Sequence, residues 1–124
     1  MLRERPEFQV SAEASDGFAA VQMAEELQPD LILLDIGLPK LNGIEAAKRI
    51  HLLVPGSAIL FLTMNNNVGV VQAALSNGAK GYVLKLDAEK ELCPAIEAIL
   101  QGKQFVSSGL HLTEMSRSLL KRPL

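Results

Sequence analysis

Three polar residues each close an apolar run, and each carries a different chemistry. Asp35 follows Leu31-Ile32-Leu33-Leu34, Thr63 follows Ala58-Ile59-Leu60-Phe61-Leu62, and Lys85 follows Gly81-Tyr82-Val83-Leu84. A carboxylate, a hydroxyl and an ammonium on one rim can converge on a small anion or on a transferred group. An Asp carboxylate can take a phosphoryl group and hold it as an acyl phosphate. That transfer needs positioning and charge neutralisation more than covalent help. Lys85 is expected to pair with the carboxylate and then with phosphoryl oxygens, and Thr63 to donate its hydroxyl to one of them. A divalent ion with oxygen ligands, most naturally Mg2+, would bridge carboxylate and phosphate. Taken singly, each residue also reads as ordinary structure: Asp as a helix cap, Thr as a strand former, Lys as a solvated charge. Asn42, with Glu45 three residues on, already suits the cap of the next helix.

The elements that must hold this trio alternate strand and helix. Phe8–Ala12 alternates apolar and polar residues and predicts a short strand. Asp16-Gly17 opens a helix to Leu27, with Phe18, Val21 and Leu27 at helical spacing and Pro29 beyond its end. The runs before Asp35, Thr63 and Lys85 are continuous rather than alternating, as expected of strands covered on both faces. Helices are predicted from Gly43 to Val54 with Ile44, Ala47, Ile50 and Val54 on one face, from Val68 to Ser76, and from Ala88 to Gln101 with Asp87 as cap. A weaker amphipathic helix is predicted from Leu110 to Lys121. Strand–helix units on short loops require right-handed crossovers and a parallel sheet, so the fold class is α/β in three layers. Ligands of such sheets bind at the carboxyl ends of the strands. Asp35 and Lys85, two strands apart, would be roughly 10 Å distant at the backbone, a gap that a lysine stem nearly spans.

Composition narrows the classes. The 124 residues suit one domain, and 48% apolar with 21% charged residues is ordinary for a globular chain. Fourteen acids against 12 bases give a net charge of −2, which argues against a nucleic-acid module. Cys93 is the sole cysteine, so no internal disulfide forms, and it is expected to be a small buried hydrophobe. Neither a signal peptide nor a membrane span is expected from the sequence, and the expected setting is the reducing cytoplasm. His51 and His111 have no metal-type partner in the pattern and are expected to be structural or solvated.

The stretch Pro29-Asp-Leu-Ile-Leu-Leu-Asp35-Ile-Gly-Leu-Pro39-Lys-Leu-Asn-Gly43 resembles the phosphoacceptor segment of bacterial response-regulator receiver domains. Ile59-Leu-Phe-Leu-Thr63 and Asn77-Gly-Ala-Lys-Gly-Tyr-Val-Leu-Lys85 match the rest in order and spacing. Ala14-Ser-Asp-Gly17 and Gly102-Lys-Gln-Phe-Val-Ser107 are similar to the subgroup that carries a LuxR/NarL-type DNA-binding domain. The resemblance implies a flavodoxin-like (CheY-like) three-layer parallel sheet. It makes Asp35 the residue phosphorylated by a histidine kinase, Thr63 the switch hydroxyl, Lys85 the accompanying lysine and Tyr82 the switch aromatic; Tyr82 reads equally as a half-buried strand residue. It also implies that Gly37 offers a backbone carbonyl to the metal beside Asp35, and that the domain controls a transcriptional output rather than acting as an enzyme. Residues 1–108 correspond to the receiver domain and 109–124 to a linker-type helix. Strand-end phosphatases of the haloacid-dehalogenase type need a second Asp where this chain has Gly37, cobalamin-binding domains need a His that is absent, and no G-x-G-x-x-G follows a strand.

Two departures from the family shape the expectations. Receiver domains begin with a strand ending in two adjacent acids that hold the metal, and nothing before Asp35 reads as that strand. Weak Mg2+ binding and an impaired phosphoryl acceptor are therefore expected. The gap invites three outcomes: closure of the Phe8–Ala12 strand against Leu31–Leu34, a swapped element from a second chain giving a homodimer or swapped oligomer, or a less stable sheet with an open edge. On closure, Glu13 would come near the rim as a weak substitute ligand. The second departure is the end at Leu124, with only Arg117, Lys121 and Arg122 as clustered bases, so direct DNA binding by this chain is not expected. The alternative function is a phosphorylation-independent interaction module that dimerises through its helices.

Overall fold

The computed structural model describes residues 14–108 and Leu110. Its elements run α1 (Gly17–Leu27), β1 (Leu31–Leu34), α2 (Gly43–Leu53), β2 (Ala58–Thr63), α3 (Val68–Ser76), β3 (Gly81–Leu84), a 3-10 turn (Lys85–Asp87), α4 (Ala88–Leu100) and β4 (Phe105–Val106). The strands pair in parallel in the order β1-β2-β3-β4. This is the expected flavodoxin-like α/β arrangement. The predicted Phe8–Ala12 strand, Glu13, and the predicted helix with His111, Arg117, Lys121 and Arg122 lie outside the described residues.

Two apolar layers hold the sheet. One joins Ile59, Phe61 and Tyr82 to small residues of three helices: Ala20 and Ala24 of α1, Ala46, Ala47 and Ile50 of α2, and Val71 and Ala74 of α3. The other joins Leu60 and Val83 to α4 through Leu92, Ala95, Ile96 and Ile99. Alternate residues of one strand point to opposite faces, so Leu60 lies in one layer and Ile59 and Phe61 in the other. β2 and β3 are covered on both sides, as their continuous apolar runs predict. β1 is not: Leu31, Ile32 and Leu33 are only half-buried, and Leu34 alone is buried. Among the described residues β1 pairs only with β2.

Each helix is set by local chemistry. Asp16 caps α1 by accepting from the Ala19 N–H at 2.9 Å, and Asn42 caps α2 by accepting from the Glu45 N–H at 3.0 Å. The buried face of α1 differs from the expected one. Ala20 and Ala24 face the core, whereas Phe18 and Leu27 are about half exposed (50% and 49%). The close approach of α1 to α2 admits only small residues, and Phe18 instead lies under the Arg49 guanidinium, 5.5 Å from its ring centre. Asp87 stands at the start of α4 but makes no side-chain cap bond, because the 3-10 turn leads directly into the helix. Cys93 is half-buried, one position off the α4 stripe of Leu92, Ala95, Ile96 and Ile99. His51 is exposed in the last turn of α2, and its ring occupies the space that a side chain at Gly78 would need.

Candidate functional site

The parallel register sets the rim. Leu34 pairs with Phe61 and Thr63 with Leu84, so Asp35, Thr63 and Lys85 each stand at the carboxyl end of their own strand. The three strands are adjacent, which brings the side chains together. Lys85 Nζ donates to Asp35 Oδ2 at 2.8 Å, closing the two-strand gap that the sequence predicts a lysine can span. The Gly37 N–H donates to Asp35 Oδ1 at 3.1 Å. The Thr63 hydroxyl oxygen accepts from the Asn65 N–H at 3.3 Å, and the hydroxyl helps lower the Asp35 pKa from beside it. Thr63 is buried, whereas the Asp35 and Lys85 side chains keep 35% and 47% of their surface in solvent, so the charged end of the site stays open to a reactant.

The loops explain why Asp35 holds its place. The Gly43 N–H donates to the Ile36 carbonyl at 2.9 Å, and a Cβ on Gly43 would run into the Asp35 carbonyl oxygen. The start of α2 therefore packs directly on the backbone that carries the carboxylate. The Gly17 N–H donates to the Pro39 carbonyl at 3.3 Å, and Lys40 lies 3.7 Å from Asp16, so α1 clamps the same loop from the other side.

Burial alone would raise the Asp35 pKa. The Lys85 hydrogen bond, the Gly37 N–H, the Thr63 hydroxyl and the Lys85 charge together outweigh it and hold the group below its ordinary value. Asp35 thus carries its charge at the solvent-facing end of the site, with the Lys85 cation on one oxygen and the Gly37 N–H on the other. Tyr82 lies behind this rim. It is fully buried rather than half-buried, its ring centre is 6.0 Å from that of Phe61, and its hydroxyl donates to the Asn65 carbonyl at 2.6 Å. Burial, and then the Asp35 charge, push its phenol up to about 12.

Two supporting residues were not singled out by the sequence reasoning. Ser107 is fully buried, and its hydroxyl oxygen accepts from the Leu84 N–H at 2.9 Å, just before Lys85. Its sequence signals are the short apolar pair Phe105-Val106 after the Gly102 stop and its place at the end of the Gly102–Ser107 segment that carries the resemblance, neither of which gives it a role. Asn65, the tether for both Thr63 and Tyr82, acts through its backbone, which residue type does not reveal.

A metal is the poorest fit. Asp35 supplies carboxylate oxygens, but no group of three acidic, imidazole or thiol side chains assembles among the described residues. This donor set does not by itself make an oxygen-ligated Mg2+ site.

Fold and rim together define a class: a flavodoxin-like domain with an acid, a hydroxyl and an amine at adjacent strand ends. The family model described as "Response regulator receiver domain" matches residues 1–97, and the chain belongs to that family. It is 37% identical over 107 residues to the transcriptional regulatory protein DegU of Brevibacillus brevis, covering 86% of this chain and 45% of DegU. It is 34% identical to the nitrate/nitrite response regulator protein NarL of Escherichia coli K12, covering 89% of this chain and 51% of NarL. A crystal structure of a LuxR-family two-component response regulator from Aurantimonas sp. SI85-9A1 superposes with a TM-score of 0.88 at 34% identity, covering 97% of this chain and 85% of that one. The chain spans about half the length of these curated relatives. Receiver domains of this kind interact with histidine kinases and generally bind Mg2+. No helix among the described residues is long and apolar enough to cross a membrane.

Proposed function

We propose that Asp35 accepts a phosphoryl group from the phosphohistidine of a histidine kinase. The observation that carries this reading is the Lys85 ammonium seated 2.8 Å from an Asp35 oxygen at the open end of the sheet. An Asp35 oxygen attacks phosphorus, the P–N bond to the kinase imidazole breaks with its electron pair going to the ring nitrogen, and the ring, already protonated on its other nitrogen, leaves as neutral imidazole. Lys85 neutralises charge on the incoming phosphoryl oxygens, and Thr63 turns its hydroxyl to one of them. That movement loosens the Thr63–Asn65 bond and disturbs the Asn65 carbonyl that holds Tyr82, which is how the chemistry reaches the rest of the domain. Thr63 and Tyr82 are the switch pair in this reading, and the output is control of transcription through a further part of the protein.

Asp35 and the Gly37 carbonyl would hold Mg2+ only weakly, where it would help neutralise the phosphoryl charge, and phosphorylation is slow. Incubation with acetyl phosphate over a range of Mg2+ concentrations tests this: mass spectrometry should find one added phosphoryl group, lost in Asp35→Asn. The sparse donor set favours a second reading, a phosphorylation-independent interaction module. That reading stands if no mass shift appears even at high Mg2+ while the chain still self-associates or binds a partner.

A further inference from the structure

We propose that the cleft between the carboxyl ends of α2 and α3, at the end of the sheet opposite Asp35, binds a small organic phosphate. The cleft holds about 390 Å³ and is lined by Lys48, His51 and Leu52 of α2, Leu75 of α3, Lys80 and Gln104. That volume lies within the roughly 300–1,000 Å³ usual for small-molecule sites. Lys80 precedes β3 and Lys85 follows it, so about 16 Å of strand separates the cleft from the phosphoryl rim.

Charge selects the ligand. The whole chain has 14 acids against 12 bases, yet among the described residues the cleft is lined by three basic side chains and no acid. Lys48, His51 and Lys80 are all exposed, and the ion pairs Lys40–Asp16 and Lys85–Asp35 leave them out. Lys48 and His51 stand three apart on α2 and so share one face of the helix. A multiply charged phosphate suits two ammonium groups better than a single carboxylate does. The carbonyls that would oppose an anion at the end of α3 are taken within the chain. The Asn77 N–H donates to the Ala73 and Ala74 carbonyls, the Gly78 N–H to that of Leu75, and the Asn77 side-chain amide to Ala73 at 2.7 Å.

The walls are fixed before a ligand arrives. The Lys80 N–H donates to the Ile59 carbonyl at 2.8 Å, and the Lys80 carbonyl accepts from the Phe105 N–H at 3.1 Å, so neighbouring strands hold the residue from both sides. Gly78 has a φ of 100°, which favours glycine, and a Cβ there would come within 2.7 Å of the His51 ring. The turn after α3 can therefore close onto α2 and seat His51 as one wall. Such preorganisation lowers the ordering cost of binding. Leu52, 73% exposed, and the half-buried Leu75 add apolar surface that the organic body of the ligand would cover and a bare phosphate would not. The cleft makes no use of Asp35, so its failure would leave the proposed phosphoryl chemistry standing.

Nuclear magnetic resonance titration of the 124-residue chain with ADP, in the absence of Mg2+, tests the proposal. The expected result is saturable shifts at Lys48, His51, residues 75–80 and Gln104, with Asp35, Thr63 and Lys85 unmoved. Lys48→Gln and Lys80→Gln should each weaken ADP by about fivefold. Lys103→Gln, which removes an exposed base outside the cleft, should leave the affinity unchanged. Pyrophosphate should move the same residues but bind more weakly than ADP. No saturation at millimolar ADP, or shifts centred on the Asp35 rim, would overturn the proposal. So would a loss in Lys103→Gln as large as in the other two variants, or pyrophosphate binding as tightly as ADP.

Discussion

At the residue scale, the site depends on one carboxylate being kept ionised by its neighbours. The Asp35 pKa is depressed in the folded chain, so its interactions add stability above the unfolded value and lose it as pH falls through the folded value. The pair is largely solvated, so the effect is small, at most roughly 1 kcal/mol. Lys85→Met should flatten the acid side of the stability curve by that amount in urea titrations at pH 3 to 7 and raise the Asp35 pKa toward its ordinary value. Tyr82 behaves in the opposite sense. Its phenol is about 10 when unfolded and about 12 when folded, so the folded chain binds the extra proton between those values and stability falls as pH rises through that window. Tyr82 is the only tyrosine and there is no tryptophan. The tyrosinate absorbance of the native chain therefore reports this one group, and it should titrate near 12 rather than 10. Tyr82→Phe loses the Asn65 hydrogen bond and should cost about 1 kcal/mol in denaturant unfolding at neutral pH.

Elements deliver these residues through close backbone contacts. Gly43→Ala places a Cβ against the Asp35 carbonyl, so α2 must shift or Asp35 must move. The variant should lose at least about 2 kcal/mol of stability and most of its phosphoryl uptake, both measurable on purified protein. Ser107→Ala leaves the buried Leu84 N–H without its acceptor, at a cost of roughly 1–3 kcal/mol by denaturant unfolding. The element order and the rim trio were legible because each strand is a continuous apolar run ending in a polar residue, and because Asp16, Asn42 and Pro29 mark helix ends in sequence. The buried face of α1 was not. Phe18 and Leu27 have the right spacing, but the close α1–α2 contact selects Ala20 and Ala24, and spacing cannot report how near two helices come. β4 was missed as a strand because two residues give no periodicity. The role of Ser107 depends on which backbone N–H lacks a partner, which only the fold reveals.

At the scale of the whole molecule, three helices cover one face of the sheet and α4 alone covers the other among the described residues. With 14 acids against 12 bases and a net charge of −2, the 124 residues should show no sequence-specific DNA retention in gel-shift assays at physiological salt. Everything in the functional account passes through Asp35. The most direct test is the intact mass of the chain after incubation with acetyl phosphate and Mg2+, side by side with Asp35→Asn and Lys85→Ala. One phosphoryl group on the unaltered chain, none on Asp35→Asn and much slower uptake by Lys85→Ala is the predicted result. Equal labelling of the unaltered chain and Asp35→Asn, or none in either at any Mg2+ concentration, would contradict the account.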